Sequence, residues 1–188
     1  MLILGSRIHG TPVMSLQTGT RLATVSAPLI DPANLKIMAY EVDSPLLDEH
    51  PSFLRIADIR EIGSVGMIID SSDELIGLHD VIKIEQLHDL KFNLIGMSVI
   101  DEHKVKLGKI EDYTLEAGDF IVQQLTVKRG FLKGITHTSL LIHRSQIIEI
   151  NRESIIVKGT AKKLPTPVMQ ATRTEFVNPF RAPQPEEV

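Results

Sequence analysis

Between Leu107 and Ile121 the chain reads LGKIEDYTLEAGDFI, with carboxylates at Glu111, Asp112, Glu116 and Asp119. Carboxylates this close invite a hard cation such as calcium, which takes several oxygen ligands. A calcium loop, however, needs acids at alternating positions, a glycine and a late glutamate between two helices. Here Glu111 and Asp112 are adjacent, and adjacent residues of a strand point to opposite faces. Glu116 and Asp119 flank Ala117-Gly118, which reads as a hairpin tip with Gly118 free to take a positive φ. The stretch is therefore expected to be strand, turn and strand, and no metal is expected in it.

The other reactive side chains form no catalytic pattern. The seven histidines (9, 50, 79, 88, 103, 137 and 143) show no HExxH-like spacing, although His137 and His143 could share a strand face. Ser139 and His143 lack both a G-x-S-x-G elbow and an identifiable acidic third member. The glycines are spaced singly, with neither a dinucleotide fingerprint nor a P-loop. With no cysteine in the chain, disulfides, thiolate sites and a Cys nucleophile are excluded. No catalytic residue, cofactor or metal is expected, and the protein is not expected to be an enzyme.

Two regions suggest contact with a partner. Lys104, Lys106, Lys109, Lys128, Arg129 and Lys133 are basic residues of the second half, and Lys128-Arg129 is followed by Gly130-Phe131. This reads as a positive rim with an apolar tip, suited to an acidic protein or to RNA. Near the C-terminus, TRTEFVNPFRAPQPEEV places Phe176, Val177 and Phe180 in a polar, proline-rich setting, where isolated aromatics can dock in a groove. Lys128, Arg129, Phe131, Phe176 and Phe180 are the candidate partner-binding residues.

The elements that must position these residues are strands. Of the 188 residues 43% are hydrophobic but only 4% aromatic, and tryptophan is absent, so the core must be aliphatic. Runs such as RLATVSAPLI, LKIMAYEV, VGMIID, DFIVQQLTV and ESIIVK alternate apolar residues between turn formers, which is the all-β signature. LHDVIKIEQLHDL (78–90) differs: Val81, Ile84, Leu87 and Leu90 lie at helical spacing behind Asp80 as a cap, predicting a short helix or turn-rich connector. Residues 158–188 hold five of the ten prolines and five basic against three acidic residues, a net of +2. The first 157 residues then carry −6 of the total −4, and the C-terminal stretch is expected to be a flexible tail. A mildly acidic chain lacks the electrostatic footprint of a general nucleic-acid binder. MLILGSRIHG has no basic n-region and no apolar run is long enough to cross a bilayer, so a cytoplasmic protein without membrane insertion is expected.

The two halves match each other in order. Gly10 and Val13 correspond to Gly96 and Val99 at an offset of 86; Leu22, Val25, Asp31, Asn34 and Val42 to Leu107, Ile110, Glu116, Asp119 and Val127 at 85. Glu61, Ile62, Met67 and Ile68 correspond to Glu149, Ile150, Ile155 and Ile156 at 88, so a duplicated unit is expected.

FNLIGMSVIDEHKVKLGKIEDYTLEAGDFIVQQLTVKRG (92–130) with LLIHRSQIIEINRESIIVKG (140–159) resembles the PRC-barrel family: an Ile-Gly entry strand, a Gly-Lys-Ile-x-Asp strand, a strand ending in Leu-x-Val and a final pair. Residues 5–70 resemble it more loosely, since Ala23 stands at the place of Gly108 and Ser26-Ala27 at that of Glu111-Asp112. DELIGLHDVIKI is similar to the connector between tandem units of that family. The resemblance implies small β-barrels like those of the reaction-centre H subunit and of the ribosome maturation factor C-terminal domain, which assemble with other proteins without chemistry in the barrel. The expected organisation is a first barrel over 1–77, a connector at 78–91, a second barrel over 92–160 and a tail at 161–188. Gly96, Gly108 and Gly118 would shape its turns, with Val99, Ile110, Leu125 and Ile147 in the core. The expected function is that of a non-catalytic scaffold or adaptor whose partners are other proteins, with a ribosome-assembly or RNA-associated role as the alternative. Homo-oligomerisation is compatible with all of this.

Overall fold

The computed structural model describes residues 1–45, 47, 50–129 and 139–159. The first part of the chain forms β1 (Leu2–Leu4), β2 (Pro12–Ser15), β3 (Arg21–Asp31), β4 (Lys36–Asp43), β5 (Ser52–Arg55), β6 (Glu61–Gly63), β7 (Gly66–Ile69) and β8 (Leu75–Gly77). A helix, α1 (Ile82–Asp89), leads to β9 (Ser98–Asp101), β10 (Lys106–Glu116), β11 (Ile121–Lys128), β12 (Ser139–His143), β13 (Ile147–Ile150) and β14 (Ser154–Val157).

The strand pairing of β2–β7 recurs in β9–β14. In each half the entry strand pairs antiparallel with the long strand and parallel with the last strand, as β2 does with β3 and β7, and β9 with β10 and β14. The long strand pairs with the next (β3 with β4, β10 with β11), and that one with a short strand (β4 with β5, β11 with β12). Register breaks also recur: Leu22, Ser26 and Met38 are bulged out of the first half's ladders, and Leu107, Glu111 and Gln123 out of the second's. A bulge bends a strand and resets its alternation. For this reason Val122 and Leu125, three apart, are both buried, where simple alternation would turn one outward.

Closed barrels are not what these strands form. Among the described residues the ladder runs openly from β13 through β14, β9, β10, β11, β4, β3, β2 and β7 to β6, without returning on itself. Closure within the first half would use the outer edge of β5, and β8 already occupies that edge. The halves are instead welded to each other. Lys36 of β4 pairs with Ile121 of β11, and one hydrophobic core takes Val13, Ile37 and Leu54 together with Val99, Val122 and Leu125. Val99, Ile110 and Leu125 are buried as expected, while Ile147 is only partly buried at the margin.

The connector contains a helix, and Ile84 and Leu87 form its buried side as the spacing predicts; Leu90 is exposed. Its cap differs from expectation. The N-cap position is Val81, without a side-chain cap, because the Asp80 carboxylate accepts the Gly77 N–H at 2.7 Å and closes the preceding turn.

The turn at 116–120 is also made differently. The Phe120 N–H donates to the Glu116 carbonyl at 2.8 Å, and Phe120 rather than Gly118 takes the left-handed conformation, with φ 53°. Leu35 does the same in the first half, at φ 57°, donating to Asp31. Gly108 is where a side chain is excluded: a Cβ there would lie 2.2 Å from the Lys128 carbonyl oxygen, at φ 155°. Around Gly118 a Cβ would meet nothing within 4 Å.

Two predictions follow from this packing. Gly108→Ala should lower stability by about 2–4 kcal/mol and Gly118→Ala by no more than about 0.5 kcal/mol, read from urea unfolding midpoints; equal midpoints for the two variants would refute the assignment. Leu125→Asp places an unpaired carboxylate in the shared core and should cost more than about 4 kcal/mol, abolishing the cooperative thermal transition. A wild-type melting curve for that variant would remove Leu125 from the core.

Candidate functional site

The four carboxylates of the opening stretch go to separate tasks. Glu111 is held by the Lys128 ammonium at 3.3 Å across the β10–β11 ladder. Asp112 accepts the backbone N–H of Ser6 at 3.0 Å and its hydroxyl at 2.5 Å, clamping the N-terminal 3-10 turn (Gly5–Arg7) onto β10. Glu116 closes the hairpin through its carbonyl, and Asp119 is exposed in the turn. Among the described residues no group of three or more His, Cys, Asp or Glu side chains is placed to hold a metal. Ser139 and His143 stand at opposite ends of β12, about 13 Å apart at the usual strand rise. The His143 imidazole turns to Ser145 instead, at 2.8 Å from its hydroxyl.

Between the bulged parts of β3 and β10 lies a cleft of about 470 Å³, walled by the end of α1 and the segment after it. Its Tyr113 ring packs over Gly5, where an added Cβ would fall 2.3 Å away. Tyr40 meets Phe120 edge-on at 6.4 Å, and its buried hydroxyl finds no hydrogen-bond partner among the described residues. His88 stacks edge-on to Phe53 at 5.8 Å, with its Nδ1 buried and unpartnered likewise. Burial pushes the Tyr40 phenol far above its ordinary value, with Tyr113 adding to the effect. Tyr113 is raised too, by burial first and by the Asp112 carboxylate second.

The basic rim is partly assembled by the sheet. Lys109 and Lys128 face each other directly across β10 and β11, and Arg129 follows, all three exposed. Like charges opposite each other are unfavourable, and among the described residues Glu111 pairs with Lys128 alone of the two. Lys104 and Lys106 lie on the turn and strand leading to Lys109, so this end of the second half is positive. The equivalent positions of the first half hold Gly19, Arg21, Thr24, Asp43 and Ser44. Phe131, Phe176 and Phe180 lie outside the described residues, as do Lys133 and His137.

Composition does not reveal the edge beside this rim. Among the described residues β12 pairs only with β11, and Leu141 is 55% exposed on it. In sequence the signal is positional: Leu141 falls where Phe53, fully buried, stands in the first half.

The surface at this end of the second half is a basic strand end beside an apolar edge that, among the described residues, no further strand covers. Residues 91–164, less than half of the chain, match the PRC-barrel domain family. A PRC-barrel domain therefore occupies the half that carries this surface. No curated protein matches the chain. Among the described residues no helix is long and apolar enough to cross a membrane.

The chain's two tyrosines supply a test of the cleft. Because folding raises both above the ordinary value of about 10, stability is unaffected below that pH. It falls as pH rises beyond it, where only the unfolded chain gains by ionising. Tyrosinate absorbance near 295 nm should therefore appear together with alkaline unfolding. Ionisation near pH 10 in a protein still folded by circular dichroism would show the phenols to be exposed.

Proposed function

We propose that this protein is a non-catalytic adaptor built from two PRC-type units, which holds other proteins against the basic end of its second unit. The observation carrying this reading is the exposed Lys109–Lys128–Arg129 group on the PRC-barrel domain, ion-paired among the described residues only at Lys128 and absent from the matching place in the first half. The shared core and the similar pairing of both halves support a rigid two-part platform. Among the described residues Asp112 clamps the N-terminal turn, Glu111 pairs with Lys128 and His143 caps a turn, which fits a role without chemistry. Phe131, Phe176 and Phe180 belong to this reading as additional apolar contacts.

A second reading, an RNA-associated or ribosome-assembly factor, is favoured by the same lysines and opposed by the net charge of −4. The two differ in their salt response and nuclease sensitivity.

The test is the double variant Lys128→Glu with Arg129→Glu, both exposed, compared with the wild-type protein by affinity capture and quantitative mass spectrometry. Protein partners should fall by about tenfold for the variant and persist after nuclease treatment. Partners that vanish with nuclease would favour the RNA reading, and an unchanged partner set would sink the role of the rim.

A further inference from the structure

The first half shows how the edge equivalent to the outer edge of β12 is covered. β8 adds to the outer edge of β5 as an antiparallel strand, with Leu75 opposite Leu54, Ile76 opposite Phe53 and Gly77 opposite Ser52. β12 holds the same place: Tyr40 pairs with Leu54 as Leu125 pairs with Ile142, and Glu41 with Phe53 as Thr126 pairs with Leu141. Leu54 and Ile142 are both fully buried. Phe53 is buried in a small cluster with Ala39 and Ile84, against which Ile76 packs. Leu141 at the equivalent position is 55% exposed, and among the described residues no strand lies beyond it.

The charges around this edge indicate what would fit. β12 starts opposite Lys128, with Arg129 next in the chain, and ends at His143 before Arg144. β8 is entered through Asp73 and Glu74. A strand with that sequence, laid in the same register on β12, would put its apolar residue over Leu141 and its two carboxylates beside His143 and Arg144. Any acid beyond its C-terminal end would approach Lys128 and Arg129. We propose that the outer edge of β12 is a docking site for an extended acidic and apolar segment of another protein. The segment adds as an antiparallel strand: backbone hydrogen bonds supply affinity, and Leu141 with the flanking cations supplies selectivity. This rests on the adaptor reading and names the partner chemistry for it.

The test uses the full chain and, as probe, a fluorescent synthetic peptide with the sequence of residues 71–78, SSDELIGL. Its anisotropy should rise saturably at protein concentrations up to about 1 mM, and the β12 backbone amides not bonded to β11 should gain hydrogen-exchange protection when it binds. Leu141→Glu, at an exposed position that leaves the melting temperature unchanged, should weaken binding by about tenfold or more, as should replacing the peptide's Asp-Glu by Lys-Lys. Replacing its isoleucine by proline should abolish binding. Absence of saturable binding, or binding indifferent to Leu141→Glu, overturns the proposal. So does protection already present in the free protein at the β12 amides not bonded to β11: if independent of concentration, the chain's own remaining residues cover the edge; if it grows with concentration, a second copy does. If the peptide fails while Lys128→Glu with Arg129→Glu still strips partners, the edge proposal falls and the adaptor reading stands. Peptide binding with an unchanged partner set gives the reverse.

Discussion

The joint between the halves is a reciprocal pair of backbone hydrogen bonds: Ile37 N–H to the Phe120 carbonyl at 2.8 Å, and Val122 N–H to the Leu35 carbonyl at 3.0 Å. Each accepting residue is left-handed and apolar, a conformation that non-glycine residues adopt rarely and at a cost of about 1–3 kcal/mol. What holds them there is burial, since Leu35 is 3% and Phe120 6% exposed, and Phe120 reaches across to Tyr40. The left-handed turn aims a carbonyl at the other half while sending the side chain into the common core. Backbone satisfaction and apolar burial therefore depend on the same two residues. Neither half could keep this geometry alone without leaving those N–H and C=O groups to water.

From that joint the rest of the packing follows. Each half's lead-in segment crosses to the other half: β1 pairs with β10, whereas α1 places Lys83 against Asp31 of β3. The Asp112 clamp on Ser6 is the polar counterpart of this exchange. The bulges at Ser26 and Glu111 bend the two long strands where the cleft lies between them. The ladder stays open because β8 covers the outer edge of β5 in the first half, while in the second no strand among the described residues pairs with the outer edge of β12.

Much of the local structure was legible in the residues. Gly10 and Gly96, matched by sequence, both donate to the long strand, to Val25 and Ile110, which were matched as well. The turns at Asp31–Leu35 and Glu116–Phe120 lay where the acids and Asn34 or Gly118 indicated. What sequence did not give was long-range. Gly118 looked like the residue for a positive φ, but conformation was decided by where the next half needed a carbonyl, and that fell on Phe120. Alternation could not show the bulges, which are properties of paired registers. Closure depends on whether first and last strands meet, which strand propensity does not encode. Just before β8, Ser71 and Glu74 carry the capping-box spacing and form one in the structure, whereas in the connector Asp80 accepts the Gly77 N–H instead of capping α1.

Two halves with the same pairing act as controls for each other. Where they agree, in the residue at Gly10 and Gly96 or in the left-handed conformation at Leu35 and Phe120, the fold itself imposes the match. Where they differ at equivalent backbone positions, the fold does not, and the difference needs another cause. Asp101 replaces Ser15 and still closes its turn, accepting the His103 and Val105 N–H groups at 2.9 and 2.8 Å, so that difference is structural. Lys109 in place of Thr24, Lys128 in place of Asp43 and exposed Leu141 in place of buried Phe53 have no such explanation. Each makes the isolated chain less comfortable, by like-charge proximity or by apolar exposure. All three lie on neighbouring strands, β10, β11 and β12. A partner bound across this surface would relieve these unfavourable features together, and that is the physical support for the proposed role of this end of the second half.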